Sequence, residues 1–267
     1  MKKCFTINCM RTKEDFLGYD KIINDGLFQG VELFYPYNVS ETQRDLYTEE
    51  VEKLLNKHKL EVVLHLPHGG ANNLVNNDYK LNQEIVQRMK DAADYASKFN
   101  AKKLTLHLGC AFKECDRNQL LTVMVEVLQD LCDYVSKYQM NVMIENMPGF
   151  NELGYSVSEI YDLIINVDRD NLKFILDTGH AHVSEYKIED YIIKLSKYLY
   201  HIHFSDNDGS CDQHKPINQG NIDFVSVFEH LKLVGYNELH CLEIIFKTYE
   251  DLIKYNQDIE QYNIYDK

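Results

Sequence analysis

His65, His107, Glu145, Asp177, His203 and Glu243 each stand at or near the end of a different short apolar run. His180, Asp212 and His214 follow such runs within a few residues. Mixed imidazole and carboxylate sets suit Zn, Mn, Fe or Co, whereas Mg and Ca prefer shells of oxygen. A lone histidine in a strand is more often a hydrogen-bonded core residue than a ligand, so the carboxylates carry more weight. Glu145 in VMIENMP, Asp177 in FILDTGH and Glu243 in CLEIIF each close an apolar stretch. An unpaired carboxylate buried there costs several kcal/mol. No Lys or Arg lies within those stretches, and a divalent cation would supply the missing charge. In SCDQHKPINQGNID, Asp212 and His214 are two apart, so in an extended loop both would face the same side.

The elements that would gather these residues are strand-like runs at 4–9, 30–35, 61–67, 102–109, 141–148, 172–178, 199–206 and 238–246. Between them lie helical patterns such as LNQEIVQRMKDAADYASKFN and LLTVMVEVLQDLCDYVSKY, apolar at three- and four-residue spacing. Strands alternating with helices imply parallel βα units. Eight of them imply an α/β chain that folds as one (β/α)8 barrel over residues 1–267. An open doubly wound sheet is the rival, disfavoured by the even spacing and by the lack of a Gly-rich phosphate loop after the first strand. In a barrel, the C-terminal strand ends share one rim, where active sites are found.

Other histidines divide by position. His68 in LPHGG and His182 in GHAHV sit on the rim within reach of substrate, and His201, two before His203, is a further pocket candidate. His58 and His230 fall on polar helical segments, and His240 begins the last strand at the opposite end of the barrel.

Length and composition bound the rest. The chain has 267 residues, 45% of them hydrophobic, which suits one large globular domain. Polar residues interrupt the N-terminal MKKCFTINCM, and no apolar stretch approaches a bilayer span of about 20 residues. Seven scattered cysteines without CxxC spacing read as reduced thiols. The expectation is a cytoplasmic protein with no membrane partner. A net charge of -14 disfavours nucleic acid as a partner, although bound cations would offset part of it.

The runs LHLP, LTLHLG, MIENMPG, ILDTGHA, HIHFSDNDGSCDQHKPINQGNID and LEI, in that order from about Val31 to Phe246, resemble the xylose isomerase-like TIM barrels. That superfamily includes sugar and sugar-phosphate isomerases and epimerases, inosose dehydratases and endonuclease IV. The isomerase and epimerase pattern implies one divalent ion on Glu145, Asp177, His203 and Glu243. The Asp212–His214 step is similar to endonuclease IV and implies up to three zinc ions. His65, His107 and Glu145 would hold one, the Glu145 quartet a second, and His180, Asp212 and His214 a third. The chain departs from endonuclease IV in its first strand, FTINC, and in the loop GCAFKECDRN, and its rim lacks basic insertions to grip a duplex.

The resemblance therefore implies a metal-dependent isomerase or epimerase of a small sugar, sugar phosphate or polyol, with Zn or Mn as cofactor and one to three ions. Glu145 and Glu243 would exchange protons through an enediolate, His180 and His68 would touch substrate, and Phe34 and Tyr35 would stack on the sugar. A zinc phosphodiesterase acting at abasic DNA, an inosose-type dehydratase and a non-catalytic sugar-acid sensor are the alternatives. A homo-oligomer is compatible with all of them.

Overall fold

Each run expected to be a strand forms one, and the strands pair in chain order until the last returns to the first. They are β1 (Lys2–Ile7), β2 (Gly30–Phe34), β3 (Glu61–His65), β4 (Lys103–Leu106), β5 (Asn141–Glu145), β6 (Leu172–Asp177), β7 (Leu199–Phe204) and β8 (Leu239–Leu242). All pairs are parallel and the barrel is closed, as β8 pairs with β1 through Lys2–Leu239 and Phe5–Leu242. The computed structural model describes residues 1–74, 79–111 and 116–265. Residues 112–115 of the GCAFKECDRN loop lie outside these.

Helices cover the barrel: α1 (Lys13–Asn24), α2 (Glu41–Lys57), α3 (Tyr79–Ser97), α4 (Arg117–Val135), α5 (Val157–Val167), α6 (Thr178–Val183), α7 (Ile188–Lys194), α8 (Phe224–Leu233) and α9 (Tyr249–Glu260). Their starts are capped by side chains that satisfy free N–H groups: Ser40 for α2, Asp116 for α4, Ser156 for α5 and Asp177 for α6. None of the described helices is long and apolar enough to cross a membrane. The expected first strand, 4–9, begins two residues earlier and ends at Ile7. Lys3 is buried there and pairs with Glu260 of α9, while Asn8 turns the chain by accepting from the Met10 N–H.

Alternation along the strands sorts the side chains. Val31 and Leu33, Leu64, Leu104, Val142, Phe174 and Phe204 belong to the outer core shared with the helices. Cys4, Val63, Met143, Ile175, Leu239 and Cys241 form a separate apolar cluster inside the barrel. Below it, Lys103 is neutralised by Glu61 at 2.6 Å and Glu238 at 2.8 Å. On β3, β5, β6 and β8 the inward residues then turn polar toward the C-terminal end. Val63 precedes His65, Met143 precedes Glu145, Ile175 precedes Asp177 and Cys241 precedes Glu243. The apolar layer makes the barrel rigid; the polar one above it is left for chemistry.

Candidate metal centre and cavity

Glu145 and Asp177 end β5 and β6, His203 lies near the end of β7, and Glu243 follows β8 directly. One donor atom from each lies within 4.8 Å of the other three. The first three residues are fully buried and Glu243 is 9% exposed. His203 Nδ1 is 2.9 Å from Glu243 Oε2, 3.4 Å from Glu145 Oε1 and 3.9 Å from Asp177 Oδ2. Among the described residues, both Glu145 oxygens, Asp177 Oδ2 and His203 Nδ1 find no hydrogen-bond partner. Buried polar atoms are seldom left that way. Three carboxylates and an imidazole with lone pairs turned toward one point are a donor set that fits a divalent transition-metal ion.

Two further groups adjoin the quartet. His65, His68 and His107 bring ring nitrogens within 4.8 Å of one another, and His107 Nε2 is 3.0 Å from Glu145 Oε2. On the other side, Asp212 Oδ2 lies 3.4 Å from His180 Nε2 and 2.8 Å from His214 Nε2. Three of these histidines are oriented in the same manner. His65 Nδ1 faces the Leu66 carbonyl at 2.9 Å, His180 Nδ1 the Asn146 carbonyl at 2.9 Å, and His214 Nδ1 the Glu243 carbonyl at 3.1 Å. A carbonyl only accepts, so each Nδ1 carries the proton and each Nε2 is directed at the site. All nine residues expected to be ligands thus come together, from six strands and the loops that follow them.

The crowding shows in the protonation equilibria. Burial, with the Glu145, Glu243 and Asp212 carboxylates beside it, raises Asp177 to about 7 against the pull of His180. Burial also works against ionisation of Glu145, but His107 and His203 outweigh it and hold its carboxyl well below the usual range. For His214, burial opposes the charge, and Asp212 overrides it to push the imidazole up to about 9.

Above these groups opens a cavity of about 930 Å³, a size suited to a small organic ligand. His65, His107, His180, Asp212, His214 and Glu243 line it, and His68 stands on its wall. Phe34 also lines it, its ring stacked on His65 at 4.7 Å and 7°. Tyr35 does not belong there. Its side chain points the other way, packing on Tyr95 at 5.4 Å and against the outer core. His182 is likewise turned aside, bonded to Asn221 Oδ1 at 2.6 Å. The segment after β6 is helix α6, and two residues along a helix do not share a face. His58, bonded to Asp20, and His230, bonded within α8, lie outside the cavity. His240 packs parallel to Phe204 and Phe228 on the outer face of the barrel.

One buried residue was not anticipated. Glu32, in the middle of β2, accepts from Thr105 Oγ1 at 2.7 Å, His201 Nε2 at 2.9 Å and His203 Nε2 at 2.7 Å. The signal in the sequence was a single acid inside the apolar run GVELF.

Comparison with known proteins agrees with this architecture. A family described as xylose isomerase-like TIM barrel matches residues 24–260. The uncharacterized protein MJ1311 of Methanocaldococcus jannaschii is 26% identical over 216 residues, covering 79% of this chain and 72% of its own length. Fructoselysine 3-epimerase of Shigella flexneri is 20% identical over 200 residues, covering 74% of this chain and 72% of its own. Among solved structures, a D-tagatose 3-epimerase-like protein shares the fold with a TM-score of 0.83 at 23% identity, covering 100% of this chain and 98% of that one. The chain is related to sugar isomerases and epimerases.

Proposed function

The chain belongs to the xylose isomerase-like TIM barrel family, and on that premise we propose that it is a divalent-metal-dependent isomerase or epimerase of a small sugar, sugar phosphate or polyol, working as a single cytoplasmic domain. The observation that carries this reading is the buried quartet of Glu145, Asp177, His203 and Glu243, with donor atoms within 4.8 Å of one another and several without a hydrogen bond among the described residues. Zn or Mn suits that donor set. Bound there, the ion supplies Lewis-acid polarisation of substrate oxygens and a template for their orientation.

The remaining steps belong to the chain. Glu243, which lines the cavity, takes the proton from the carbon next to the substrate carbonyl, and the electron pair moves into the carbonyl to give an enediolate. A proton that Glu145 has first taken up from solvent is returned to the same carbon in an epimerase or to its neighbour in an isomerase, the proton on Glu243 passes back to solvent, and the two glutamates exchange roles in reverse. His180, fixed by the Asn146 carbonyl, positions a substrate hydroxyl. His68 and Phe34 form the wall, the latter offering its ring edge and face to sugar C–H groups. In an inosose-type dehydratase the same carboxylates would work with loss of hydroxide in place of the second protonation.

One observation favours a second reading, zinc-dependent phosphodiester hydrolysis at abasic DNA: nine ligand-type side chains in three adjoining groups, enough for up to three ions. The net charge of -14 opposes it. The two are separated by incubating Mn- or Zn-loaded protein in deuterated water with a panel of ketoses, ketose phosphates and inososes. The first reading expects solvent deuterium at the exchanging carbon, abolished in Glu145→Gln and Glu243→Gln variants that keep the fold. No exchange with any sugar, together with cleavage of an abasic oligonucleotide, would install the second.

A further inference from the structure

We infer that Glu32 is the positioning residue that makes His203 a metal ligand, by holding a proton on Nε2 so that Nδ1 is free to face the quartet. The inference rests on the metal-centre reading above and concerns a residue outside that centre.

Glu32 lies in the interior of the barrel with no exposure. Its Oε1 accepts from Thr105 on β4, and its Oε2 accepts from both His201 and His203 on β7. A carboxylate offers these groups only lone pairs. His203 must therefore carry a hydrogen on Nε2, and the ring atom left for a metal is Nδ1. That atom is the one lying 2.9 Å from Glu243 and 3.4 Å from Glu145, and among the described residues it has no hydrogen-bond partner. A carboxylate behind a ligating imidazole fixes its ring orientation and raises its basicity. Here the carboxylate is itself anchored on three strands, since β2 carries it while β4 and β7 hold its two oxygens. His203 would otherwise be free to turn about its ring axis or to present N–H to the ion.

Glu32, His201, His203 and Cys241 also bring donor atoms within 4.8 Å of one another, so this inner cluster could be taken for a metal site of its own. The hydrogen bonds argue otherwise. Both Glu32 oxygens are satisfied by protein donors, whereas among the described residues nothing satisfies either Glu145 oxygen at the rim. The inner cluster is support and the outer one is the site.

Glu32→Gln tests this. An amide can keep its oxygen on the two imidazoles and donate to Thr105 Oγ1, but it carries no negative charge, so the basicity that the carboxylate lends the His203 ring is lost. The Zn²⁺ dissociation constant of chelator-stripped protein, measured by competition with a fluorescent chelator, is expected to rise about ten- to hundredfold in the variant, with Glu32→Asp intermediate. A role in folding alone would lower the melting temperature and leave zinc affinity per folded molecule unchanged. Should Glu32→Gln fail to fold, ¹⁵N-histidine spectra of the zinc-loaded wild type give the answer. His203 is expected to show zinc at Nδ1 and a slowly exchanging proton on Nε2, and zinc at Nε2 would overturn the inference. Wild-type affinity in Glu32→Gln overturns it while leaving the quartet standing. A wild type that binds no zinc or manganese removes the quartet first.

Discussion

Replacing Asp177 by Asn should stabilise the metal-free protein and abolish its response to metal. Asp177 is fully buried among three other carboxylates. Burial and those neighbours raise its ionisation from 3.8 to about 7. A folded-state value above the unfolded one means that this group's contribution is fully present below about pH 4 and is lost as pH rises through about 7. Metal-free wild type is therefore most penalised in mildly alkaline solution. At 1.36 kcal/mol per pH unit, the displacement from 3.8 to about 7 sets an upper bound of about 4 kcal/mol. Asn removes the charge and can still accept from the His180 N–H, so the start of α6 stays capped. Melting curves in chelator should show the variant several degrees above wild type at about pH 8, the gap closing toward pH 4. With Mn²⁺ at about a hundredfold excess over its dissociation constant, wild type should gain about 2.7 kcal/mol and the variant almost nothing. A variant that melts at or below wild type at the higher pH, or a gap independent of pH, would refute the reasoning.

Further outcomes are expected elsewhere in the site. Phe34→Ala removes the ring stacked on His65 and should raise KM with kcat and metal affinity little changed. Tyr35→Ala, acting through its outer contact with Tyr95, should lower the melting temperature and leave KM alone; the reverse pattern would mean that the two side chains are wrongly assigned to inside and outside. Asp212→Asn should make the metal-free His214 lose its charge well below its present value of about 9, as read from imidazole NMR shifts across a pH titration. The part of its stability that wild type loses as pH rises through about 9 should then be absent. Gly220→Ala should destabilise strongly, because a Cβ there would overlap the Asn207 carbonyl and the Asp206 carboxylate. Asp206 accepts from the Gly220 and Ile222 N–H groups, and a soluble variant with an unchanged melting temperature would show that the loop can give way.

The barrel was legible because each strand is an apolar run of strand length and each connection carries helical periodicity. The site was legible for a related reason: an acid or histidine closing such a run has to be compensated, and parallel strands bring those ends to one rim. Geometry that the pattern alone did not resolve came at three places. In GVELFY, strict alternation puts Glu32 and Phe34 on the inner side and Tyr35 on the outer; reading the two aromatics as a pair concealed Glu32. In DTGHAH, the chain enters a helix at Thr178, so His180 faces the site and His182 does not. In DQHKP, His214 adopts a left-handed φ of 43°, which extended-loop spacing does not anticipate, although Asp212 and His214 do meet at 2.8 Å. What sequence could not supply was the state of each imidazole. That follows from which carbonyl or carboxylate stands behind the ring, and for His180, His203 and His214 those partners come from other parts of the barrel.

The measurement that bears most directly on the central claim is a manganese titration of chelator-stripped protein, wild type against Glu145→Gln, followed by calorimetry. Wild type should bind at least one ion per chain, and the variant, which loses an oxygen donor common to the quartet and the adjoining histidine group, should lose that binding while its far-UV spectrum stays the same. A wild type that binds no ion, or a variant that binds as tightly as wild type, would contradict the assignment of Glu145, Asp177, His203 and Glu243 as the metal centre.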